Sequence, residues 1–313
     1  MAAIAIVIVT YQSESVIGPC LDAAADTGAE VIAVDNASTD GTLAEIARRD
    51  VRVIANPVNR GFAAAANQGF AACNRPYVLL LNPDAVLTGS IEPLREACAA
   101  ERVAAAGGCL VDSAGRPQSG FMVRRLPTPA ALILEVALLN RAWPGNPVNR
   151  RYRELDSDLG MSRDVEQPAG ALLMVRRDVW REIGGFDEGY FPLWFEDVDF
   201  CRRLADRGYR VRYVPEVVAK HTGGHSISRL TVENRRIYWY GSLLRYSAKH
   251  FRPGAFRVVS LAVVAGSLLR MIAESAAQRN LKPLAVYGKV VRLAGRYFLF
   301  GWGEGTLRSN PRL

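Results

Sequence analysis

Four apolar, β-branched runs, IAIVIVT at 4–10, VIAV at 31–34, VRVIA at 51–55 and YVLLL at 77–81, are separated by segments long enough to form helices. A strand without polar alternation must be covered on both faces, which is the condition inside a parallel sheet. The covers are the segments near 15–27, 42–49 after the capping residues Ser38, Thr39 and Asp40, and 61–72. This alternation predicts an α/β chain on a doubly wound, mostly parallel sheet. Ligands of such sheets gather beyond the carboxyl ends of the strands. Thr10-Tyr11, Asp35-Asn36 and Asn82-Pro83-Asp84 each follow a strand directly, so three distant polar sets should converge on one rim.

The pattern loosens after about residue 115. Residues 116–165 are rich in Pro, Arg and Asn around AALILEVALLN at 130–140, and read either as a variable, partly mobile region touching an acceptor or as a plain packing helix. From 168 the chain tightens again. GALLMV at 170–175 predicts a strand, RDVWREIG at 177–184 a short helix and GGFDE at 184–188 a turn. Residues 196–207 predict a helix with Val198, Cys201, Leu204 and Ala205 at core spacing, and YRVRYVP at 209–215 a strand. With 313 residues, 50% of them hydrophobic, the chain can bury one large domain with an appendage or two smaller ones.

The net charge of +8 is unevenly placed: residues 227–313 carry 15 Lys and Arg against 3 Asp and Glu, whereas 1–226 carry 24 against 28. Within that basic tail, VVSLAVVAGSLL at 258–269 is uncharged and flanked by Arg257 and Arg270. As a helix it would be about 18 Å long at about 1.5 Å per residue, too short for about 30 Å of hydrocarbon. With Tyr238, Trp239, Tyr240, Tyr297, Phe298 and Trp302 nearby, it suits the headgroup region of an anionic leaflet. The alternative is a helix buried against the main domain. Nucleic acid is disfavoured, because the aromatics accompany apolar stretches and no binding module appears. Five scattered cysteines with no CxxC pair support neither a disulfide framework nor a cysteine zinc site, and fit a cytosolic setting. Residues 1–9 read as a first strand and not as an export signal.

Each polar set has its own chemistry. Asp35, opening VDNASTDGT, could accept from a pyrimidine imide N–H while Tyr11 offers a flat face to the ring; its bland counterpart is an Asx turn. Asp84, delivered by LLLNP, could ligate a hard divalent cation on a diphosphate, with His221 adding an imidazole. Glu196 and Asp197 open a helix whose dipole favours the carboxylate, so one of them could act as a general base. Asp199 is the alternative, turned about 200° from Asp197 at about 100° per residue. NRGFAAAANQG at 59–69 brings small residues to a helix start, either for close approach to a phosphate or for helix-sheet contact. Arg202 and Arg203 could balance the acidic cluster.

Taken in order, VIVTYQSE, VDNASTDGT, NRGFAAAANQG, LLLNPDA, GGFDEGYF, FEDVDFCRR and HTGGHS resemble the inverting glycosyltransferases of family 2, most of all the bacterial rhamnosyltransferase branch, over roughly 4–226. The resemblance implies a GT-A fold, with a donor-binding half at 1–115 and an acceptor and base half at 116–226; the basic, apolar helical extension at 227–313 lies beyond it and is read from charge and composition. It implies that Tyr11 and Asp35 hold the nucleobase, that Asp84 and His221 bind Mg²⁺ or Mn²⁺, and that Asp197 is the base with Glu196 beside it. Thr10, Glu14, Asn36, Asn59, Gly61, Asn67 and Asn82 complete the candidate nucleotide-sugar set, and Trp194, Gly170 and His225 are candidate acceptor contacts. Asn82 stands where the family's DxD motif has its first acid. The resemblance implies a single displacement from a nucleotide-activated sugar such as dTDP-L-rhamnose, with a UDP-hexose or UDP-galactofuranose as the alternative donor; the basic, apolar tail, if it holds the enzyme on the inner face of the cell membrane, points to a lipid-linked saccharide as acceptor. A homo-oligomer is left open. A Rossmann oxidoreductase is disfavoured because TYQSES lacks GxGxxG. A non-catalytic sugar-nucleotide-binding scaffold is the lesser rival.

Overall fold

The computed structural model describes residues 3–224 and 230–300. The chain divides into two units, the first comprising 1–126, 153–188 and 196–229, the second 127–152, 189–195 and 230–313. In chain order the strands are β1 (Ile4–Thr10), β2 (Glu30–Asp35), β3 (Arg52–Ala55), β4 (Tyr77–Leu81), β5 (Ala85–Leu87), β6 (Val103–Val111), β7 (Val123–Arg124), β8 (Arg163–Val165), β9 (Gln167–Pro168), β10 (Leu172–Arg176) and β11 (Arg210–His221).

The first unit holds a nine-stranded sheet ordered β3-β2-β1-β4-β10-β6-β11-β5, with β8 paired to β11. The β3-β2-β1-β4 part is parallel, as the continuous apolar runs require. β10 enters antiparallel between β4 and β6, and β5 lies antiparallel on β11, so the sheet is mixed. Helices α1 (Glu14–Ala25), α2 (Thr42–Ala47), α3 (Phe62–Ala72) and α4 (Glu92–Ala99) flank it, followed later by α8 (Arg177–Glu182) and α9 (Glu196–Asp206). Ile6, Val7 and Ile8 are fully buried, and each such side chain contributes roughly 1.5–3 kcal/mol. A Cβ at Gly69 would collide with Val7 Cγ1, so this part of 59–69 serves helix-sheet contact.

Two sequence expectations change here. The strand expected at 209–215 runs on to His221, because a register shift between Val214 and Val218 absorbs Pro215 as a bulge. β6 is fully buried and central but was not anticipated; its run of Ala and Gly carries no β-branched signal.

The second unit is helical: α5 (Pro129–Val136), α6 (Leu139–Ala142), α7 (Pro147–Tyr152), α10 (Val232–His250), α11 (Pro253–Gln278) and α12 (Lys282–Phe300). Thr128 caps α5 by accepting from Ala131 N–H, with Pro129 at the first position. The helix expected over 130–140 breaks at Leu138, which has φ 65°. Arg270 of α11 donates to the carbonyls of Glu135 and Val136 at the end of α5, adding to the backbone N–H of Leu138 at the first and partnering the second. A further correction concerns α11, which continues past Arg270 to 26 residues and is long and apolar enough by composition to cross a membrane.

Candidate active site

At the carboxyl edge of β1 and β2, Thr10 pairs with Asp35 in register, and its hydroxyl donates to Asp35 Oδ1 at 2.8 Å. Asp35 is buried and also accepts from Ser38 N–H at 2.9 Å and Ser38 Oγ at 2.6 Å. That is turn-stabilising geometry, and it leaves one lone-pair position on Oδ2. The rest of STDGT braces the loop after β1: Thr42 Oγ1 accepts from Ser13 N–H, Ser38 Oγ from Gln12 N–H, and Glu14 Oε2 from Gly41 N–H. Tyr11 is half-buried within this loop.

Asn36 Nδ2 donates to Asn59 Oδ1 at 2.9 Å, and Asn36 Oδ1 accepts from Arg60 N–H at 2.9 Å. Asn59 Oδ1 also accepts from Gly61 N–H, and Gly61 turns the chain into α3 with φ 84°. Asn36, Asn59 and Gly61 are therefore brought together. Asn67 faces elsewhere: its Oδ1 accepts from Trp180 Nε1 and Phe186 N–H, while its Nδ2 donates to Phe186 O and Glu188 Oε1. With both halves of the amide engaged twice, Asn67 ties α3 to the 180–188 turn, apart from the group of Asn36, Asn59 and Gly61.

Asp84 and His221 meet because β11 runs on past its bulge: His221 pairs with Ala85, and its Nε2 lies 3.5 Å from Asp84 Oδ1. Asn82 Nδ2 stands 3.4 Å from the same nitrogen. On the other side of the ring, Nδ1 faces Gln118 Oε1 at 3.0 Å, and Phe121 stacks on the imidazole at 5.5 Å with 10° between planes. Among the described residues no group of three His, Cys, Asp or Glu could hold a metal ion. A carboxylate and an imidazole nevertheless fit a cation that takes its remaining ligands from phosphate oxygens and water.

Asp197 lies at the first turn of α9, where Oδ2 accepts from Gly170 N–H at 3.0 Å and from Gln167 Nε2 at 3.2 Å, and Oδ1 from Val198 N–H at 2.8 Å. Lone-pair capacity remains on Oδ1. Burial pushes this carboxyl above its ordinary value, while the Gly170 and Val198 amides and the charge of Arg124 pull it back. A Cβ at Gly170 would sit 3.2 Å from Asp197 Cβ, so glycine permits the close approach. Gly170 thus touches Asp197 directly. Glu196 is buried beside it. Asp199 is fully buried and paired with Arg203 at 2.7 Å, which excludes it as the base. Arg203 also donates to Ile183 O and Gly185 O, fastening the GGFDE turn, and Arg202 pairs with Asp206.

The pair of Asp84 and His221 is linked to Asp197 twice. Asn82 N–H donates to Ala171 O, one residue from Gly170. The segment 118–124 contacts His221 through Gln118 and Phe121, while Arg124 sits over Phe121 and acts electrostatically on Asp197. The sequence reading missed Gln118, Phe121, Arg124 and Gln167. They lie on a turn and on the two-residue strands β7 and β9, which have no period to detect. Trp194 belongs to the second unit and has φ 77°. His225 and Trp302 lie outside the described residues.

Residues 5–151 match the model of glycosyl transferase family 2, and 156–300 that of glycosyl transferase family group 2. An N-acetylglucosaminyl-diphospho-decaprenol L-rhamnosyltransferase of Mycobacterium tuberculosis is 31% identical over 224 residues, covering 67% of this chain and 71% of its own. The rhamnosyltransferase WbbL of Escherichia coli is 27% identical over 169 residues, covering 53% and 60%. A mannosyltransferase of Pyrobaculum calidifontis, solved with GDP-Man and Mn²⁺, shares the fold with a TM-score of 0.53 at 17% identity, over 96% of this chain and 88% of its own.

Proposed function

The chain belongs to glycosyl transferase family 2, in its rhamnosyltransferase branch, and from that premise we propose that it moves L-rhamnose from dTDP-L-rhamnose onto a hydroxyl of a lipid-linked saccharide with inversion. The observation that carries this reading is the pairing of Asp84 with His221 at 3.5 Å, joined through Asn82 and Ala171 to the Gly170 amide that holds Asp197. The sugar and the lipid-linked acceptor are taken from the name of the Mycobacterium tuberculosis relative.

Residues 1–115 hold the donor, with Tyr11 and Asp35 at the nucleobase and Asn36, Asn59 and Gly61 shaping the neighbouring loop. Asp84 and His221 would hold Mg²⁺ or Mn²⁺, which when bound offsets the charge growing on the departing diphosphate. Asp197, fixed through Oδ2, takes the acceptor hydroxyl proton on Oδ1. The acceptor oxygen then forms its bond to the anomeric carbon as the bond to the nucleoside diphosphate breaks on the opposite face. General-base assistance of this kind contributes about 10²–10⁴-fold.

The extension from 227 places the enzyme on the cytoplasmic face of the membrane. Val258, Leu261, Leu268, Leu269 and Ile272 of α11 are exposed and fall within an arc of about 100° at about 100° per residue. The opposite face packs through Val259, Val263 and Gly266, and Glu274 takes Arg236 at 2.8 Å and the Tyr287 hydroxyl at 2.7 Å. A helix with such a charged packing face and an apolar outer stripe suits the interface better than a span.

The decisive experiment follows nucleoside diphosphate release from dTDP-rhamnose, UDP-hexoses and UDP-galactofuranose, each with Mg²⁺ and Mn²⁺ and a polyprenyl-diphosphate saccharide. Turnover confined to dTDP-rhamnose is expected. Selective use of a UDP-sugar would reassign the donor, and no release from any donor would remove the reading.

A further inference from the structure

The geometry points to Gln118 as a positioning residue that locks His221 in the tautomer a metal ligand requires, an inference resting on the reading of Asp84 and His221 as the cation's protein ligands. Gln118 Nε2 lies 2.7 Å from the His221 carbonyl oxygen, which can only accept. The amide orientation is thereby set, and Oε1 is the atom 3.0 Å from His221 Nδ1. An amide oxygen also only accepts, so Nδ1 carries the hydrogen. A neutral imidazole has one N–H, and its lone pair is then on Nε2, the nitrogen facing Asp84 and Asn82.

The opposite tautomer has an evident attraction. With its hydrogen on Nε2, His221 would donate to Asp84 Oδ1, leaving no imidazole lone pair on that side for a cation. Gln118 opposes that closure, and burial strengthens its hold: His221 is 3% exposed, so bulk water is not at hand to replace the amide. Gln118 is itself anchored on both sides of its peptide. Its N–H donates to Leu110 O of β6, and its carbonyl accepts from the N–H groups of Phe121 and Met122. Phe121, stacked nearly parallel on the ring, restricts rotation of the imidazole.

The test uses the full chain and Mn²⁺ alone, with binding followed by loss of the free-ion EPR signal. Gln118→Leu should weaken Mn²⁺ about 10–100-fold, the range for loss of a group supporting a metal ligand. Gln118→Glu keeps the acceptor at Nδ1 while losing the donor to the His221 carbonyl, and should retain most of the affinity even where it lowers Tm. Equal weakening in both variants would assign Gln118 to folding and overturn the proposal, as would wild-type affinity in Gln118→Leu alongside loss in His221→Gln. Wild-type affinity in His221→Gln would remove the ligand reading itself, and the proposal with it. Independently of any Gln118 variant, ¹⁵N NMR of the wild type should show His221 protonated at Nδ1; the chain has only 3 His, so His221→Gln assigns the signal. A hydrogen on Nε2 would overturn the inference.

Discussion

At the residue scale, the proposed reaction turns on how readily Asp197 loses its proton. Burial raises its pKa and Arg124 lowers it, so the charge-free Arg124→Gln should raise it further and move the acid limb of kcat/KM to higher pH. The sign follows from the proposed role: a general base works deprotonated, so activity should fall as pH drops through the native pKa of Asp197. A pH profile of both enzymes checks this, and an unmoved limb would mean that Arg124 does not act on the base. Asp197→Asn should spare donor binding and reduce kcat by about 10²–10⁴-fold, read by single-turnover kinetics. Asp84, His221 and Asp197 stood out as candidates because each has a chemistry tied to its residue type, and the fold brings the first two within 3.5 Å. Gln118, Arg124 and Gln167 were not, since an amide or guanidinium has a role here only through the neighbour it faces. Asn67 shows the converse, for its place in a Gly-rich loop suggested a ligand contact while its partners at Trp180, Phe186 and Glu188 come from more than a hundred positions away.

At the scale of elements, hydrophobic period explains the successes. β1, β2, β3 and β4 lie within a residue of where their apolar runs place them; β1, β2 and β4 do so because a strand covered on both faces has no alternative pattern, whereas β3 is an exposed edge strand held by its parallel pairing with β2. The same covering demands close contact, and Gly69→Ala should destabilise the fold by roughly 1–3 kcal/mol through overpacking against Val7, measured by denaturant unfolding. The misses have local causes. Pro215 ends a strand in most contexts, yet a bulge carries it here, and without the six residues that follow His221 would not reach Ala85. The apolar stretch at 130–140 gives no internal sign of its break at Leu138; Arg270, 132 positions beyond, donates to the carbonyls just before it.

At the scale of the whole molecule, charge and apolar surface collect in the same part of the chain. Replacing Leu261, Leu269 and Ile272 together with Gln should reduce flotation with anionic liposomes while leaving far-UV CD unchanged, since all three side chains are exposed. Binding should also weaken as salt rises, because the 15 basic residues of 227–313 face 3 acidic ones. Flotation unaffected by both changes would remove the membrane-surface reading.

By itself the sequence determined the alternation of strands and helices, the rim on which Asp35 and Asp84 stand, and the basic, apolar character of the tail, because these follow from local pattern and charge. Tertiary structure decided which partner each polar side chain meets: the amide behind His221, the guanidinium near Asp197, the bridge made by Asn67. Hydrogen bonds and electrostatic fields depend on separations in space that no short stretch of chain encodes.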